Sequence, residues 1–326
     1  MGDYRLELSD GRELEAGTII VATGAEVLNP EGIFGYGSVD KVITQIQLEN
    51  MLLSGENPGS DIVMIQCAGS RNEERPYCSR VCCTASIKNT VLIKEKYPST
   101  RITILSRGFA EYAGDLDRAR EMGVEIIRYS LERPPVVEAG QVTVYDEISG
   151  IDVRLPFEHV VLAAPLVASQ STRDLAEILR VPIDEYGFML EPHLKIRPEE
   201  FAPRGIFVAG SAHWPSTITE AILQGYGAAS RAHELISAGK VVRTSHVSRV
   251  EEAFCRGCGR CYDECRHGAI EFADDDDGLK RARVMAIQCT GCGVCVSVCP
   301  SGAIRLRGMS PRQTDMTIEA VAGVRG

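Results

Sequence analysis

The sequence predicts an α/β protein: a doubly wound parallel sheet followed by a small α+β cysteine module. Three observations predict it. Strand and helix signals alternate from residue 61 to residue 128. Two short apolar runs, Ile20-Val21-Ala22-Thr23-Gly24 and Gly205-Ile206-Phe207-Val208-Ala209-Gly210-Ser211, flank that stretch and end at glycine. Eight of the twelve cysteines form two copies of one spacing near the C-terminal end.

Residues 4–8 alternate apolar with polar, Asp10-Gly11 signals a turn, and residues 13–22 return as a second strand. A short helix is expected over 44–53. Residues 61–65 read as a buried strand that runs into a cysteine-bearing loop. Helical spacing covers 79–97 and stops at Pro98. A strand at 101–105, a helix at 115–122 and a strand at 124–128 complete the alternation. Residues 134–165 read as antiparallel strands ending in Val160-Val161-Leu162-Ala163-Ala164. A further strand at 205–210 enters a helix over 217–236. A basic and polar linker at 240–248 leads to the cysteine module, inside which the acidic run 274–277 reads as a solvated loop. The expected division is 1–45 and 166–242 as two parts of one domain, 46–165 as an inserted domain, 246–308 as the cysteine module and 309–326 as a tail.

Of the 326 residues, 44% are hydrophobic and 25% charged, as in ordinary globular proteins. A net charge of −10 argues against nucleic acid and against an anionic membrane surface as partners. No apolar run approaches the ~18 residues that would span a bilayer. The N-terminus has no basic region followed by an apolar stretch, so the expected compartment is the cytoplasm. Cysteines in that compartment are metal ligands more often than disulfides.

Cys255, Cys258, Cys261 and Cys265 are spaced C-x2-C-x2-C-x3-C; Cys289, Cys292, Cys295 and Cys299 repeat the pattern, and Pro300 follows. Three thiolates on one tight loop cap three corners of a cubane, and the x3 spacing carries the fourth across to the other half. One 4Fe–4S cluster is therefore assigned to Cys255, Cys258, Cys261 and Cys299, and a second to Cys289, Cys292, Cys295 and Cys265. This is a two-cluster ferredoxin module. Gly257, Gly259, Gly291 and Gly293 are expected to let the backbone wrap the sulfurs closely. Zinc would ask for separated C-x2-C pairs. Arg266 stands where the pattern has proline after the fourth cysteine.

Ala22, Thr23 and Gly24 resemble the strand-end motif of flavoproteins with two dinucleotide-binding domains, and Gly210 and Ser211 resemble their late FAD motif. Ser211 stands where those proteins carry an acidic residue. Thr217 and Glu220 form an S/T-x-x-E capping box, which places Thr217 and Ile218 at a helix N-terminus suited to an anionic, reduced flavin. No G-x-G-x-x-G follows a strand and opens a helix, so the pyrophosphate cradle is expected outside this sequence. After residues 61–65 the sequence reads Gln66-Cys67-Ala68-Gly69-Ser70-Arg71, so the inserted domain is expected to have lost nucleotide binding.

The remaining cysteines, Cys67, Cys78, Cys82 and Cys83, have a spacing of no ferredoxin or zinc type. Buried free thiols are one reading. A site is the other, because all four fall in one βα connection and the first turn of its helix, where the helix dipole favours thiolate. Lys88 follows on that helix, and by its position alone is a solvent-facing lysine.

Pro76-Tyr77-Cys78-Ser79-Arg80-Val81-Cys82-Cys83, continuing to Lys94-Glu95-Lys96-Tyr97-Pro98, resembles the A-type subunit of heterodisulfide reductases, the flavin-bearing component of electron-bifurcating complexes. The resemblance runs from about residue 4 to 320 and lacks the family's N-terminal FAD fingerprint. It implies a thioredoxin-reductase-like fold with FAD, and a third 4Fe–4S cluster on Cys67, Cys78, Cys82 and Cys83. It places Lys88 beside the flavin N5 as a catalytic cation. It implies as partners B/C-type subunits, ferredoxin and a small iron–sulfur adaptor subunit, with a separate chain as one way of completing the FAD domain. The competing expectation is a flavin-free electron wire that docks partners.

Overall fold

The computed structural model describes residues 4–109, 115–193, 195, 197–238, 247–274, 278, 280–286 and 288–322. Most of the linker at 240–248, three residues of the acidic run, and the expected boundaries at 242 and 246 lie outside the described residues.

The first domain opens with β1 (Tyr4–Glu7) and β2 (Glu13–Ala16), an antiparallel hairpin, then β3 (Ile19–Val21) and β4 (Glu26–Val27). The inserted domain follows: β5 (Val42–Thr44), α1 (Gln45–Ser54), β6 (Asp61–Ile65), α2 (Cys82–Lys96), β7 (Arg101–Ser106), α3 (Leu116–Glu121) and β8 (Glu125–Arg128). Next come β9 (Val136–Glu138), β10 (Gln141–Asp146), β11 (Ile151–Pro156) and β12 (His159–Leu162). The chain re-enters the first domain through β13 (Leu166–Val167), α4 (Gln170–Leu179), β14 (Ile206–Val208) and α5 (Ile218–Ala238). The cysteine module comprises β15 (Ser248–Val250), α6 (Arg260–Asp263), β16 (Ile270–Asp274), β17 (Lys280–Val284), α7 (Val294–Ser297) and β18 (Ile304–Leu306). The helix α8 (Pro311–Ala322) ends it.

The central sheet of the inserted domain has the order β5-β12-β6-β7-β8, with every pair parallel. Alternate side chains of β6 point to opposite faces, as a strand requires. Ile62 and Met64 pack with Leu48, Ile87 and Ile93 of the helices. Val63 and Ile65 pack with Val142 and Val144 of the antiparallel β9-β10-β11 layer. Two expectations change here. Residues 160–162 are not antiparallel: β12 is the parallel strand between β5 and β6, and only β9 to β11 are antiparallel. The inserted domain also starts before residue 46, because β5 already belongs to its sheet.

In the first domain β3 and β14 run parallel, with Ile19 opposite Ile206 and Val21 opposite Val208. Their core holds Val21, Val181, Met189, Phe201, Ile206 and Val208. The helix α5 buries Ala228 and Ala232 against Phe207 and Ala209, and leaves Ile218, Ile222, Leu223 and Tyr226 exposed.

Candidate redox centres

In the cysteine module the third thiol of each run, Cys261 or Cys295, lies in a one-turn helix, α6 or α7, whose glycine cap is left-handed: Gly259 at φ 83° and Gly293 at φ 82°. Gly257 (φ 64°) admits Lys280, whose carbonyl oxygen lies only 2.3 Å from where a Cβ would stand. Burial pushes the Cys261 thiol up to about 11, and the negative neighbours that raise it further are Cys255, Cys299 and Cys258. Burial likewise raises the Cys295 thiol against a hydrogen bond from Ser248, and there the neighbours are Cys289, Cys292 and Cys265. Each buried thiol thus faces two from its own run and one from the other.

Donors are aimed at these sulfurs. Ala269 N–H lies 3.3 Å from Cys265 Sγ, Ser248 N–H 3.4 Å from Cys289 Sγ, and Ser248 Oγ 3.2 Å from Cys295 Sγ. A neutral thiol is a weak acceptor, whereas a thiolate is a strong one. Four crowded thiolates repel one another unless a cationic centre holds them. Three thiols from one run and one from the other fit a multi-iron cluster, bound at its corners.

The four middle cysteines also come together. Cys67 follows β6 by two residues in left-handed backbone (φ 56°), which turns the chain back across the end of the sheet. Cys82 and Cys83 open α2, whose first residues receive no side-chain cap. Burial pushes the Cys82 thiol up to about 12; a hydrogen bond from Ser79 opposes this, and Cys67, Cys83 and Cys78 add to it. Arg80 N–H lies 3.3 Å from Cys78 Sγ and Arg71 Nη1 3.8 Å from Cys67 Sγ. The loop is seated on the first domain. Tyr77 donates to the Leu166 carbonyl at 3.1 Å and packs edge-on against Tyr186 and Phe188, with centroids 5.0 and 5.7 Å away. Ser79 Oγ accepts from Leu166 N–H at 2.8 Å.

The parallel pairing of β3 with β14 sets Ala22-Thr23-Gly24 beside Ala209-Gly210-Ser211 at one end of the strands, where Ala209 N–H bonds the Val21 carbonyl. Thr23 Oγ1 meets Thr172 Oγ1 at 3.0 Å, and Gly210 N–H is taken by Gln224 Oε1 at 2.8 Å. The capping box is formed: Glu220 Oε2 accepts from Thr217 N–H at 2.9 Å and Glu220 N–H reaches Thr217 Oγ1 at 3.3 Å. Ile218 opens α5 and is exposed.

Two partners in this region were not expected. Arg80, inside the cysteine loop, is ion-paired with Glu220, so the helix N-terminus and the four cysteines are tied by one bridge. Burial raises the Glu220 carboxyl, but hydrogen bonds from Thr217 and the Arg80 charge outweigh it and hold it below the usual range. A cation between two cysteines, Cys78-Ser79-Arg80-Val81-Cys82, was the available signal. Behind Gly210, His213 is buried, bonded to Glu191 and stacked on Trp214. Lys88 lies six residues past Cys82, about 240° round the helix, and its Nζ bonds Glu49 Oε1 of α1 at 2.7 Å in a groove with Leu52, Leu53 and Leu92. Arg80 is a cation that reaches the first turn of α5.

Residues 254–303 match a family described as a 4Fe–4S dicluster domain. The second A-type iron–sulfur subunit of the CoB–CoM heterodisulfide reductase of Methanopyrus kandleri is 36% identical over 294 residues, 82% of this chain and 44% of that protein. The A-type subunit of the H(2):CoB–CoM heterodisulfide,ferredoxin reductase of Methanothermobacter thermautotrophicus is 35% identical, over 80% of this chain and 43% of its own length. The A-type subunit of the ferredoxin:CoB–CoM heterodisulfide reductase of Methanosarcina acetivorans is 33% identical, over 76% and 37%. The chain thus spans less than half the length of these relatives. Among solved structures, the thioredoxin reductase of T. acidophilum superposes with a TM-score of 0.48 at 15% identity, covering 73% of this chain and 71% of that one.

Proposed function

The chain belongs to the family of A-type heterodisulfide reductase subunits through 82% of its own length, and from that premise we propose that it is a flavin- and iron–sulfur-containing electron-transfer subunit of a heterodisulfide-reductase-like, electron-bifurcating oxidoreductase complex. The observation that carries this reading is the meeting of three features at one place: four cysteines on the connection from β6 into α2, the paired strand ends of β3 and β14, and the capped N-terminus of α5. The Arg80–Glu220 pair joins the first to the last.

The proposed flavin is FAD, which exchanges electron pairs with single-electron carriers when bound. Ala22, Thr23, Gly24, Gly210 and Ser211 offer backbone at the strand ends for it, and Thr217 and Ile218 present the α5 N-terminus, whose dipole favours added negative charge. Cys67, Cys78, Cys82 and Cys83 would hold a cluster close by, and the dicluster domain carries electrons onward. B/C-type subunits, ferredoxin and an iron–sulfur adaptor protein are the proposed partners. The exposed stripe Ile218, Ile222, Leu223 and Tyr226 on α5 is read as the face covered by the rest of the FAD domain. The cytoplasm is the proposed compartment; among the described residues no helix is long and apolar enough to cross a membrane.

Acid-released flavin per chain, measured on the complex with every co-purifying polypeptide, is the test. About one FAD per chain is expected. A complex with full iron and no flavin would leave only an electron wire.

A further inference from the structure

The two halves of the dicluster domain are related by an offset of 34 residues, which carries Cys255 onto Cys289 and Cys261 onto Cys295. The same offset carries Ser248 of β15 onto Ala282 of β17. The strand pairing supports this equivalence: Ser248 stands opposite Leu306 and Ala282 opposite Phe272, itself the counterpart of Leu306. Both positions are buried, Ser248 at 4% and Ala282 at 2% exposure. One half therefore places a hydroxyl where the other places a methyl group.

The hydroxyl is used. Ser248 touches two sulfurs of one set, with its N–H 3.4 Å from Cys289 Sγ and its Oγ 3.2 Å from Cys295 Sγ. A cluster-bound thiolate only accepts, so the hydroxyl donates. Backbone donors serve both sets: Ala269 N–H reaches Cys265 and Ser248 N–H reaches Cys289, while Ser301, Ala303 and Ile304 donate to Cys299. Among the described residues the other set receives a side-chain hydroxyl from Ser301, 3.6 Å from Cys299 Sγ in a less buried place. The shorter bond in the drier site is the stronger.

Hydrogen bonds to the sulfurs stabilise the reduced, more negative cluster and raise its potential. Resting on the reading of this domain as a two-cluster relay, we propose that Ser248 sets the cluster of Cys265, Cys289, Cys292 and Cys295 as the higher-potential member and so polarises the relay. One electron leaves the cluster of Cys255, Cys258, Cys261 and Cys299, which is oxidised, and reduces the Ser248-bonded cluster; no proton moves.

The test is an EPR-monitored redox titration of the full chain with its co-purifying partners, with signals assigned through Cys265→Ala and Cys299→Ala. S248A should lower the midpoint of one cluster only, changing the electron distribution between the two about tenfold, or about 59 mV for one electron. S248T, which keeps the hydroxyl, should restore it. A282S should raise the midpoint of the other cluster. Unchanged midpoints in S248A, or equal shifts of both, overturn the proposal. Should S248A lose a cluster, A282S decides: a raised midpoint upholds the proposal and an unmoved one overturns it. Wild-type protein without two ferredoxin-type signals would instead defeat the relay reading itself.

Discussion

Replacing Cys299 by alanine is expected to remove the same cluster as replacing Cys261, although the two lie in different cysteine runs. Each change should take about four irons from the chain and stop transfer through the dicluster domain. The reason is geometric: the buried Cys261 thiol has Cys299 among its neighbours, and the buried Cys295 thiol has Cys265. Cys265→Ala and Cys295→Ala should therefore form the second matching pair. The α/β domains stay folded in all four variants, because their cores contain none of these cysteines. EPR of the reduced proteins checks the pairing. A Cys299→Ala spectrum matching that of Cys295→Ala, and not that of Cys261→Ala, would show that each run closes its own cluster.

Arg80→Gln is expected to slow electron exchange between the flavin and the middle cluster by more than about tenfold, while iron content stays unchanged. Arg80 lies between Cys78 and Cys82, and its side chain holds Glu220 at the first turn of α5. The pair is only partly exposed, so it is worth more than the ~0–1 kcal/mol of a surface bridge; charge-assisted hydrogen bonds contribute about 1.5–3 kcal/mol. Glutamine leaves Glu220 without that cation, so its carboxyl titrates at higher pH and its hold on the cysteine loop weakens. Lysine keeps the charge but not the planar guanidinium, and should fall between. Rapid-mixing spectroscopy of flavin and cluster bands measures the effect. Arg80→Glu combined with Glu220→Arg should recover part of the lost rate. Wild-type exchange in Arg80→Gln would remove the bridge from the account.

The presence of the ferredoxin-type module was legible because its chemistry is local: three thiols on one loop leave a spacing that few other sites share, and the glycines the turns need stand between them. The assembly of Cys67, Cys78, Cys82 and Cys83 was legible as a cluster of residues on one βα connection. Its placement was not, because the contacts that seat it reach far along the chain, from Tyr77 to Leu166 and from Arg80 to Glu220. The same limit explains β12. Its apolar run gave a buried strand, but parallel pairing with β5 and β6 depends on segments more than 90 residues earlier. Lys88 shows the reverse case. Resemblance implies a place for it beside a flavin, and the side chain itself shows a local partner, Glu49. The Ser248–Ala282 difference was present in the sequence from the start. Only the strand register showed that the two residues occupy one position of a repeated unit.

Iron per chain in the fully loaded complex tests the account most directly, after correction for any iron carried by co-purifying polypeptides. Three cubanes predict about 12 iron atoms per chain, with Cys67, Cys78, Cys82 and Cys83 protected from alkylation. About 8 irons, with those four thiols freely alkylated, would contradict it.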